Sequence, residues 1–319
     1  MTKTSVEKNI LPQDINDILI IGGGTAGMTA ALYALRAGNT IEIIENYVHG
    51  GQIIVSHEVE NFPAVPNITG ADFAIKLFEQ VEKLGMKMKY ENISEVDLTS
   101  DIKRLKTNKN TYYGKTVIIA TGSARRTLKV AGESKFSGRG VSYCATCDGA
   151  FHKNKPVAVV GGGNTALEDA IFLARTSSVV YLICRGGELN GDNLLVETVL
   201  QTPNIKVMFN TAVTEIKGDK MVEEIAVMNS QTNEAESIKL GGVFIDVGVM
   251  PNNTLFADVV KTDEKGYIVA SEDCHTDIAG VFAAGDCRTK TLRQLVTAAA
   301  DGAVAATEAN KYIIKQRRL

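Results

Sequence analysis

Several features that would place this 319-residue chain in a specialised class are absent. No apolar run approaches the roughly 20 residues that a bilayer-spanning helix needs. The formal net charge of −3 gives no reason to expect a nucleic acid or an anionic membrane as a partner. The first residues, MTKTSVEKNILPQDIN, are polar and lack the apolar core of a signal peptide. These absences favour a globular protein of the cytoplasm.

Cysteine is scarce, with five residues in the chain and one close pair, Cys144-Ala-Thr-Cys147. An odd, low count fits a reducing compartment better than a secreted disulfide framework. The remaining cysteines, at 184, 274 and 287, are expected to be packing thiols, since lone cysteines are commonly buried. With 45% apolar and 22% charged residues, the chain has an ordinary globular composition and is long enough for two domains.

The chain contains one unit twice. Residues 17–46 and 156–185 align without a gap at an offset of 139. Each copy reads as an apolar strand, a Gly-rich turn, a helix and a second strand, which together form a βαβ unit. The fold class is therefore α/β, with two Rossmann-like (three-layer ββα) nucleotide-binding domains, the second inserted in the first.

Further elements set the expected domain boundaries. A helix is predicted within 70–85, and short antiparallel strands that follow each βαβ unit are predicted over 90–116 and 205–240. A further strand is predicted over 281–286, and a long helix is predicted to start near residue 292. The last strand and helix are expected to return to the first domain. We therefore expect a discontinuous first domain (1–123 and 249–319) and a central domain (124–248) that carries the cysteine pair.

The first Gly-rich turn has every feature of an adenine dinucleotide site. Gly22 permits a tight turn, Gly24 lets the backbone approach a pyrophosphate, and Gly27 lets the helix pack on the strand. Glu45 ends the second strand, where a carboxylate can accept hydrogen bonds from the ribose hydroxyls. The competing interpretation is a Gly-rich turn that binds nothing.

The second turn keeps its glycines but not the residues that select a nucleotide. Cys184 stands where an NAD site has an acid, and Arg185 is the one arginine of a segment where an NADP site supplies several. Each charge-assisted bond to phosphate contributes about 1.5–3 kcal/mol, so losing two weakens NADPH binding by roughly 10² to 10⁴-fold. Two interpretations stay open: a structural remnant of the duplication and a working nicotinamide site.

The cysteine pair is the candidate chemical centre. Two residues between cysteines permit a small-ring disulfide, and this context can lower a thiol pKa. Asp148 follows directly and could exchange a proton with a departing thiol, and a helix is expected to start at the second cysteine. Half of a zinc site is the main alternative, but the other cysteines and His275 do not have the spacing of a second ligand pair. Inert buried thiols are the remaining alternative.

Taken together, these motifs resemble those of the low-molecular-weight flavoprotein thioredoxin reductases, and the resemblance extends along nearly the whole chain. The resemblance rests on the following motifs: GGGTAG at 22–27, GGQ at 50–52, ENFP at 60–63, ATG at 120–122, CATCD at 144–148, GGGNTA at 161–166, GD at 285–286 and RQL at 293–295. It implies that FAD is the cofactor and thioredoxin the substrate partner. It also implies a homodimer, and in the catalytic centre Cys147 facing the flavin, Cys144 attacking the partner disulfide and Asp148 as acid/base. The residues implied to line FAD are Gly22, Gly24, Gly27, Glu45, Gln52, Asn61, Asp286, Arg293 and Gln294.

The chain departs from the family at its NADPH clamp, a His-Arg-Arg segment followed by another Arg. Cys184, Arg185, Gly186 and Asn190 stand at those places. The pattern is similar to the ferredoxin-dependent flavin thioredoxin reductases, so ferredoxin is the expected donor and NADPH use is doubtful. Ferredoxins near −400 mV lie roughly 130 mV below thioredoxin at about −270 mV, a favourable drop of about 6 kcal/mol for two electrons.

Other functions remain alternatives at this level. They are an NADPH-dependent thioredoxin reductase whose clamp comes from other residues, a flavin enzyme with a different outlet, and a flavin-bearing redox sensor without turnover. The basic tail between Lys311 and Arg318 is expected to be a solvated helix end, with a docking patch for an acidic donor as the alternative.

Overall fold

The computed structural model of the chain describes residues 14–56, 58–65 and 67–317. The chain forms two compact units, one from 1–54, 71–123 and 251–319 and the other from 55–70 and 124–250. The segment 55–70 thus groups with the second unit, whereas the sequence placed all of 1–123 in the first. Most of the polar N-terminal segment, taken above as no signal peptide, lies outside the described residues, as does Arg318 of the basic tail.

The described ranges contain parallel and antiparallel strands and helices in the following order: β1 (Ile15–Ile21), α1 (Thr25–Arg36), β2 (Ile41–Glu45), α2 (Gly70–Glu82), β3 (Met88–Tyr90), β4 (Ile93–Asp97), β5 (Lys103–Thr107), β6 (Thr111–Ile119), β7 (Ser123–Arg125), β8 (Val141–Ser142), α3 (Ala145–Asp148), β9 (Pro156–Val160), α4 (Asn164–Ala174), β10 (Val179–Ile183), α5 (Asn193–Gln201), β11 (Ile205–Met208), β12 (Thr211–Lys217), β13 (Glu224–Asn229), β14 (Ala235–Lys239), β15 (Gly242–Ile245), β16 (Val249–Pro251), β17 (Val281–Ala283) and α6 (Leu295–Gln316).

The first unit is built on a sheet of strand order β3-β2-β1-β6-β5-β4, with β17 paired to β6. Strands β1, β2, β3, β6 and β17 run parallel, and β4 and β5 add antiparallel pairs at one edge of the sheet. The apolar run Ile18–Ile21 of β1 is buried because neighbouring strands cover both of its edges and helices pack on the sheet. Helix α6 packs on α1 through alanines, so the two helices approach closely.

The second unit is built on a parallel sheet of order β11-β10-β9-β15-β8 and an antiparallel sheet of β12, β13 and β14. Parallel strands present their carboxyl ends at one edge, where ligands of α/β folds bind. Three features therefore lie at this edge, each after one of three neighbouring strands. They are the Gly-rich turn after β9, Asp246 after β15 and the cysteine pair after β8.

The predicted α/β class with two Rossmann-like units is confirmed. The elements differ from expectation mainly in their bounds. The antiparallel strands predicted over 205–240 begin at β12, because β11 (Ile205–Met208) joins the parallel sheet instead. The long C-terminal helix begins at Leu295, after the Gln294 cap, and the expected 70–85 helix ends at Glu82. Within the described ranges, no helix is both long enough and apolar enough to cross a membrane.

Candidate functional sites

The first Gly-rich turn is shaped by two close backbone approaches. A Cβ atom on Gly22, whose φ is +106°, would lie 2.4 Å from the carbonyl oxygen of Ala120. A Cβ atom on Gly27 would lie 1.9 Å from the carbonyl oxygen of Gly22, so α1 could not pack on β1 with any side chain there. Gly24 precedes α1, and a Cβ atom there would lie 3.9 Å from the Cα atom of Gly51, so the backbone of a second glycine-rich turn lies against it at ordinary contact distance. The geometry suits a phosphate at the helix N-terminus.

Glu45 is held against this turn. Its Oε2 accepts a hydrogen bond from the Gly23 N–H at 2.7 Å, and its Oε1 accepts one from the Tyr47 N–H at 2.9 Å. These bonds fix the orientation of the carboxylate and leave further lone pairs on both oxygens. A pair of ribose hydroxyls is the ligand that such a carboxylate fits.

Three candidate FAD residues lie between β17 and α6 in the same unit. Asp286 lies in the single 3₁₀ turn Gly285–Cys287. Arg293 stacks its guanidinium over the Tyr267 ring at 3.9 Å, and its Nε is buried without a hydrogen-bond partner among the described residues. Gln294 forms a capping box with Thr297 at the start of α6, a role that the sequence did not predict. The unsatisfied Arg293 donor fits a site whose ligand supplies an acceptor.

The last two FAD candidates are exposed. Gln52 lies in a 3₁₀ turn over Gly51–Val55, next to the glycines that approach Gly24. Asn61 belongs to the segment 55–70 of the second unit. Their contacts with a flavin stay predictions. The tight Gly22–Gly27 turn, the oriented Glu45 carboxylate and the Arg293 Nε that lacks a partner among the described residues together make the first unit a good fit for FAD.

The cysteine pair forms a disulfide with an S–S distance of 2.11 Å and a Cα–Cα distance of 5.3 Å. Helix α3 begins at Ala145, directly after the first cysteine, so the expectation of a start at the second cysteine was wrong. The reason is that the Cys144 carbonyl already accepts bonds from the N–H groups of Cys147 and Asp148, which closes the turn one step earlier. Both cysteines are partly exposed, as thiol exchange with a partner requires.

Asp148 is oriented by the residue that ends β8. The Ser142 hydroxyl donates to Asp148 Oδ2 at 2.5 Å and accepts from the Cys144 N–H at 3.1 Å. Ser142 thus connects the carboxylate with the first cysteine. Asp148 is partly exposed, and its role as acid/base stays a prediction.

The three other cysteines are buried and free. Cys287 donates to the Ile119 and Ala284 carbonyls, and burial raises the pKa of its thiol to about 11. Burial and the Asp301 charge raise the pKa of Cys274 to about 12. Such thiols are poor nucleophiles at neutral pH. Among the described residues, no group of three or more His, Cys, Asp or Glu side chains is placed to hold a metal ion.

The second Gly-rich turn reproduces the backbone of the first. The Gly22 N–H bonds the Ile44 carbonyl at 2.9 Å, and the equivalent Gly161 N–H bonds the Ile183 carbonyl at 3.0 Å. The selecting carboxylate is replaced, however. The Cys184 thiol occupies the place of the Glu45 side chain, packs against Gly162 and donates to the Glu188 carbonyl at 3.3 Å.

The loop that follows offers little to a phosphate. Arg185 is exposed, and Glu188 and Asp192 add negative charge nearby in the chain. Asp192 is tied to Asn164, the first residue of α4, by two hydrogen bonds of 2.8 and 3.0 Å. A carboxylate at this position opposes a phosphate at the helix N-terminus.

Sequence reasoning missed two residues beside the disulfide. Asp169 on α4 accepts a hydrogen bond from the Ala145 N–H at 3.3 Å, and its carboxyl group is hydrogen-bonded to that of Asp246. The ungapped repeat carried one signal, because Asp169 aligns with an alanine, Ala30, of the first copy. The contact with Asp246 joins residues far apart in the chain and left no local signal.

A disulfide at the carboxyl edge of one dinucleotide-type unit, with a complete dinucleotide turn in the other, defines a disulfide oxidoreductase. The family model for pyridine nucleotide-disulphide oxidoreductases matches residues 16–302. A thioredoxin reductase of Peptoclostridium litorale is 42% identical over 94% of this chain and 98% of its own length.

Solved structures agree. The thioredoxin reductase of Streptococcus pyogenes has a TM-score of 0.91 and 38% identity, covering 95% of this chain and 100% of its own. A ferredoxin-flavin thioredoxin reductase of Clostridium acetobutylicum has a TM-score of 0.51 and 28% identity, covering 95% of this chain and 99% of its own. The chain belongs to the pyridine nucleotide-disulphide oxidoreductase family, within its low-molecular-weight thioredoxin reductase group of flavoproteins.

Proposed function

We propose that this enzyme transfers electrons from reduced ferredoxin to thioredoxin, with FAD as its cofactor and the Cys144–Cys147 disulfide as the site of exchange. The relatives named for thioredoxin reduction support the substrate. One solved relative is named for ferredoxin as well as flavin. Assembly as a homodimer and a cytoplasmic location belong to the same proposal, by resemblance to the family.

The observation that carries the donor proposal is the second nucleotide turn. Its backbone matches the FAD-type turn, yet Cys184 replaces the selecting acid and Gly186 and Asn190 replace clamp arginines. Arg185 alone remains, and it is exposed, three positions before the exposed Glu188 in the chain. A 2′-phosphate would therefore meet one cation instead of a clamp, which weakens NADPH by roughly 10² to 10⁴-fold.

The residues of the second unit perform the disulfide chemistry. Cys144, as a thiolate, attacks one sulfur of the thioredoxin disulfide and displaces the other sulfur, which takes a proton. Cys147 then attacks the mixed disulfide at Cys144, restores the Cys144–Cys147 bond and releases reduced thioredoxin. Asp148, oriented by Ser142, supplies and accepts the protons of these steps. FAD, when bound, supplies the electron pair that reduces this disulfide again.

Flavin absorbance tests the donor. The oxidised, FAD-loaded protein is mixed anaerobically with an excess of NADPH or of reduced ferredoxin, each supplying more than two electron pairs per protein, because the first pair passes on to the Cys144–Cys147 disulfide. We expect rapid bleaching by ferredoxin and slow or incomplete bleaching by NADPH at micromolar concentration. Fast stoichiometric bleaching by NADPH would instead favour the NADPH-dependent alternative.

A clamp-restoring variant is the positive control. Gly186→Arg with Asn190→Arg returns two cations to exposed positions, and a Cβ on Gly186 comes no nearer than 3.4 Å to another residue. We expect this variant to be bleached by NADPH at least about tenfold faster than the parent, for one restored phosphate contact. No gain would mean that the missing arginines do not explain the donor.

A cysteine substitution tests whether electrons leave the enzyme through Cys144 to thioredoxin. Cys144→Ser should reduce the thioredoxin turnover rate at least about 1,000-fold, as expected for loss of a nucleophile, while FAD stays bound. Cys184→Ser is the matched control, because it removes a thiol from the same unit and should leave thioredoxin turnover with ferredoxin within about twofold. A redox sensor without thioredoxin turnover would show no difference between the three proteins.

A further inference from the structure

Two carboxyl groups lie beside the disulfide turn and take no part in the mechanism above. Asp169 projects from α4, and Asp246 directly follows β15. Oδ2 of Asp169 accepts a hydrogen bond from the N–H of Ala145, a buried residue between the two cysteines. A carboxylate therefore holds the backbone of the disulfide loop itself.

The second carboxyl group is paired with the first. Asp169 and Asp246 share a hydrogen bond between their side chains. Two ionised carboxylates have only acceptors, so this bond requires a proton. Oδ2 of Asp246 is shielded from solvent and receives no hydrogen bond from an N–H or hydroxyl group of the described residues. A negative charge on Asp246 is thus poorly stabilised, whereas a proton there can be donated to Asp169.

The charged surroundings favour the same proton position. Burial, followed by the Asp169 charge, raises the pKa of Asp246 to about 8, which Arg125 on β7 opposes. Burial also raises the pKa of Asp169, with help from Glu168 on the same helix, but the Ala145 N–H, the Asp246 hydrogen bond and Arg125 act against it. The N–H donor on Asp169 and the lack of one on Oδ2 of Asp246 among the described residues thus place the negative charge of the pair on Asp169 and the proton on Asp246.

The duplicated unit provides an internal comparison. Asp246 N–H bonds the Val160 carbonyl at 2.8 Å, as Ala120 N–H bonds the Ile21 carbonyl at 2.8 Å. A Cβ on Gly161 would lie 2.4 Å from the Asp246 carbonyl oxygen, which repeats the distance between Gly22 and Ala120. Asp246 is thus the structural counterpart of Ala120.

Asp169 likewise corresponds to Ala30 in the aligned helix, and Ala30 and Ala120 are both buried. The βαβ unit therefore folds with two small apolar residues at these places. The carboxyl pair is present in the copy that carries the disulfide.

We propose that Asp169 and Asp246 are positioning residues of the redox centre, in which Asp169 anchors the Cys144–Cys147 turn and the proton on Asp246 limits the negative charge beside the reduced cysteines. Reduction of the disulfide takes two electrons and two protons to give two thiols. Ionisation of Cys144 then transfers one proton to Asp148, the acid/base of the proposed function, and from there to solvent. A second charge on the carboxyl pair opposes this ionisation, so the pair sets the pH range in which Cys144 is reactive.

Alkylation kinetics test the proposal. The FAD-loaded protein is reduced with dithiothreitol under anaerobic conditions, and the rate of Cys144 modification by iodoacetamide is followed by peptide mass spectrometry from pH 6 to pH 10. Asp246→Asn keeps the shape of the side chain and a donor to Asp169 but cannot ionise. We expect this variant to match the wild type at pH 6.5 and to react about three- to tenfold faster at pH 9, where the wild-type pair gains its second charge.

The remaining variants separate positioning from general effects. The double variant Asp169→Asn with Asp246→Asn should react faster than wild type at pH 7 as well, since it removes the charge already present and leaves no carboxyl group in the pair that could carry it instead. Glu168→Gln is the matched control, because it removes an exposed charge from the neighbouring position of α4 and should leave the profile within about twofold of wild type. The proposal would be overturned if both aspartate variants had the same dependence of alkylation rate on pH as wild type. It would also be overturned if Glu168→Gln changed this dependence as much as the aspartate variants do.

Infrared spectroscopy keeps the proposal testable if Asp246→Asn does not fold. The wild-type protein should show a protonated-carboxyl stretch at pH 6.5 that shifts on reduction of the disulfide and is lost at pH 9.5. The absence of any reduction-sensitive carboxyl band would overturn the proposal. The inference concerns the disulfide of the proposed function, but dithiothreitol replaces the donor and iodoacetamide replaces thioredoxin, so either can fail without the other.

Discussion

At the scale of single residues, Glu45 shows how the structure gives a sequence position its meaning. Its place at the end of a second strand predicted a ribose ligand, and the structure adds that its two oxygens are bonded to the Gly23 and Tyr47 amides. The carboxylate therefore holds the turn, and its role as the ribose ligand stays a prediction. A change of charge here should affect the cofactor before it affects the fold.

Glu45→Gln should weaken FAD binding about 10- to 100-fold, the loss expected for hydrogen bonds to a charged group. The dissociation constant of FAD, measured by fluorescence quenching on refolded apoprotein, checks this. Glu42→Gln is the matched control on the same strand, since Glu42 forms an ion pair with Lys89 at 4.0 Å and, among the described residues, no hydrogen bond with the Gly-rich turn. Equal affinity in Glu45→Gln and wild type would contradict the assignment.

A second residue-scale prediction concerns the buried Asp301. It accepts bonds of 2.8 Å from Arg288 on both of its oxygens and from Lys290, and one of 2.9 Å from the Gly285 N–H. Burial alone would raise the pKa of Asp301, but these bonds hold it below the ordinary 3.8. Asp301→Asn leaves two buried cations unpaired and should lower the free energy of unfolding by about 3–5 kcal/mol at pH 7.

The pH dependence of this loss has a definite sign. A carboxyl whose pKa is lower in the folded state contributes stability above its unfolded pKa, and this contribution is lost as the pH falls through the folded pKa. Urea unfolding should therefore show a constant difference between wild type and Asp301→Asn above about pH 5, narrowing below about pH 4. Asp273→Asn, which changes an exposed carboxylate of the same unit, should alter the free energy of unfolding little. A difference that widens on acidification would exclude this role for Asp301.

At the scale of elements, the two copies of the βαβ unit differ at the third glycine position. Gly27 has no room for a Cβ because the Gly22 carbonyl oxygen would be 1.9 Å away, whereas Ala166 occupies the same place in the second copy. The first turn is thus tighter where its helix meets the strand. At this position the two copies therefore differ by one methyl group, which Ala166 has and Gly27 lacks.

Reciprocal substitutions test this difference. Gly27→Ala should lower the free energy of unfolding by more than about 2 kcal/mol, because α1 must move away from the turn. For the same reason it should abolish FAD incorporation. Ala166→Gly should cost about 1 kcal/mol, the helix-propensity difference, with normal FAD content. Calorimetry and the flavin-to-protein absorbance ratio give both quantities. Similar losses in the two variants would show that the turns are packed alike.

The same elements show what a sequence can predict. The strands, glycines and Glu45 of the first copy were predicted because their spacing is local and set by one βαβ unit. The capping role of Gln294 was missed because RQL was interpreted as a ligand motif rather than as a helix start. The Asp169–Asp246 pair was missed because it depends on β9, β15 and β8 being neighbours, an order that local periodicity does not contain.

At the scale of the whole molecule, duplication gave two nucleotide-type units that have since diverged. One unit keeps the glycines and acid that fit FAD. The other keeps the backbone turn, carries the disulfide and has Cys184 where an acid selects a nucleotide. The basic tail offers less free charge than its sequence suggested, because Lys311 pairs with Glu308 and Arg317 with Asp17. A docking patch for ferredoxin is therefore not supported by these two side chains.

The central claim is that electrons enter from ferredoxin rather than from NADPH. The most direct measurement is the steady-state rate of thioredoxin reduction by the FAD-loaded protein, with reduced ferredoxin and NADPH compared at the same micromolar concentration. We expect turnover with ferredoxin to exceed turnover with NADPH by about 100-fold or more, from the loss of two phosphate contacts. An equal or faster rate with NADPH would contradict the account.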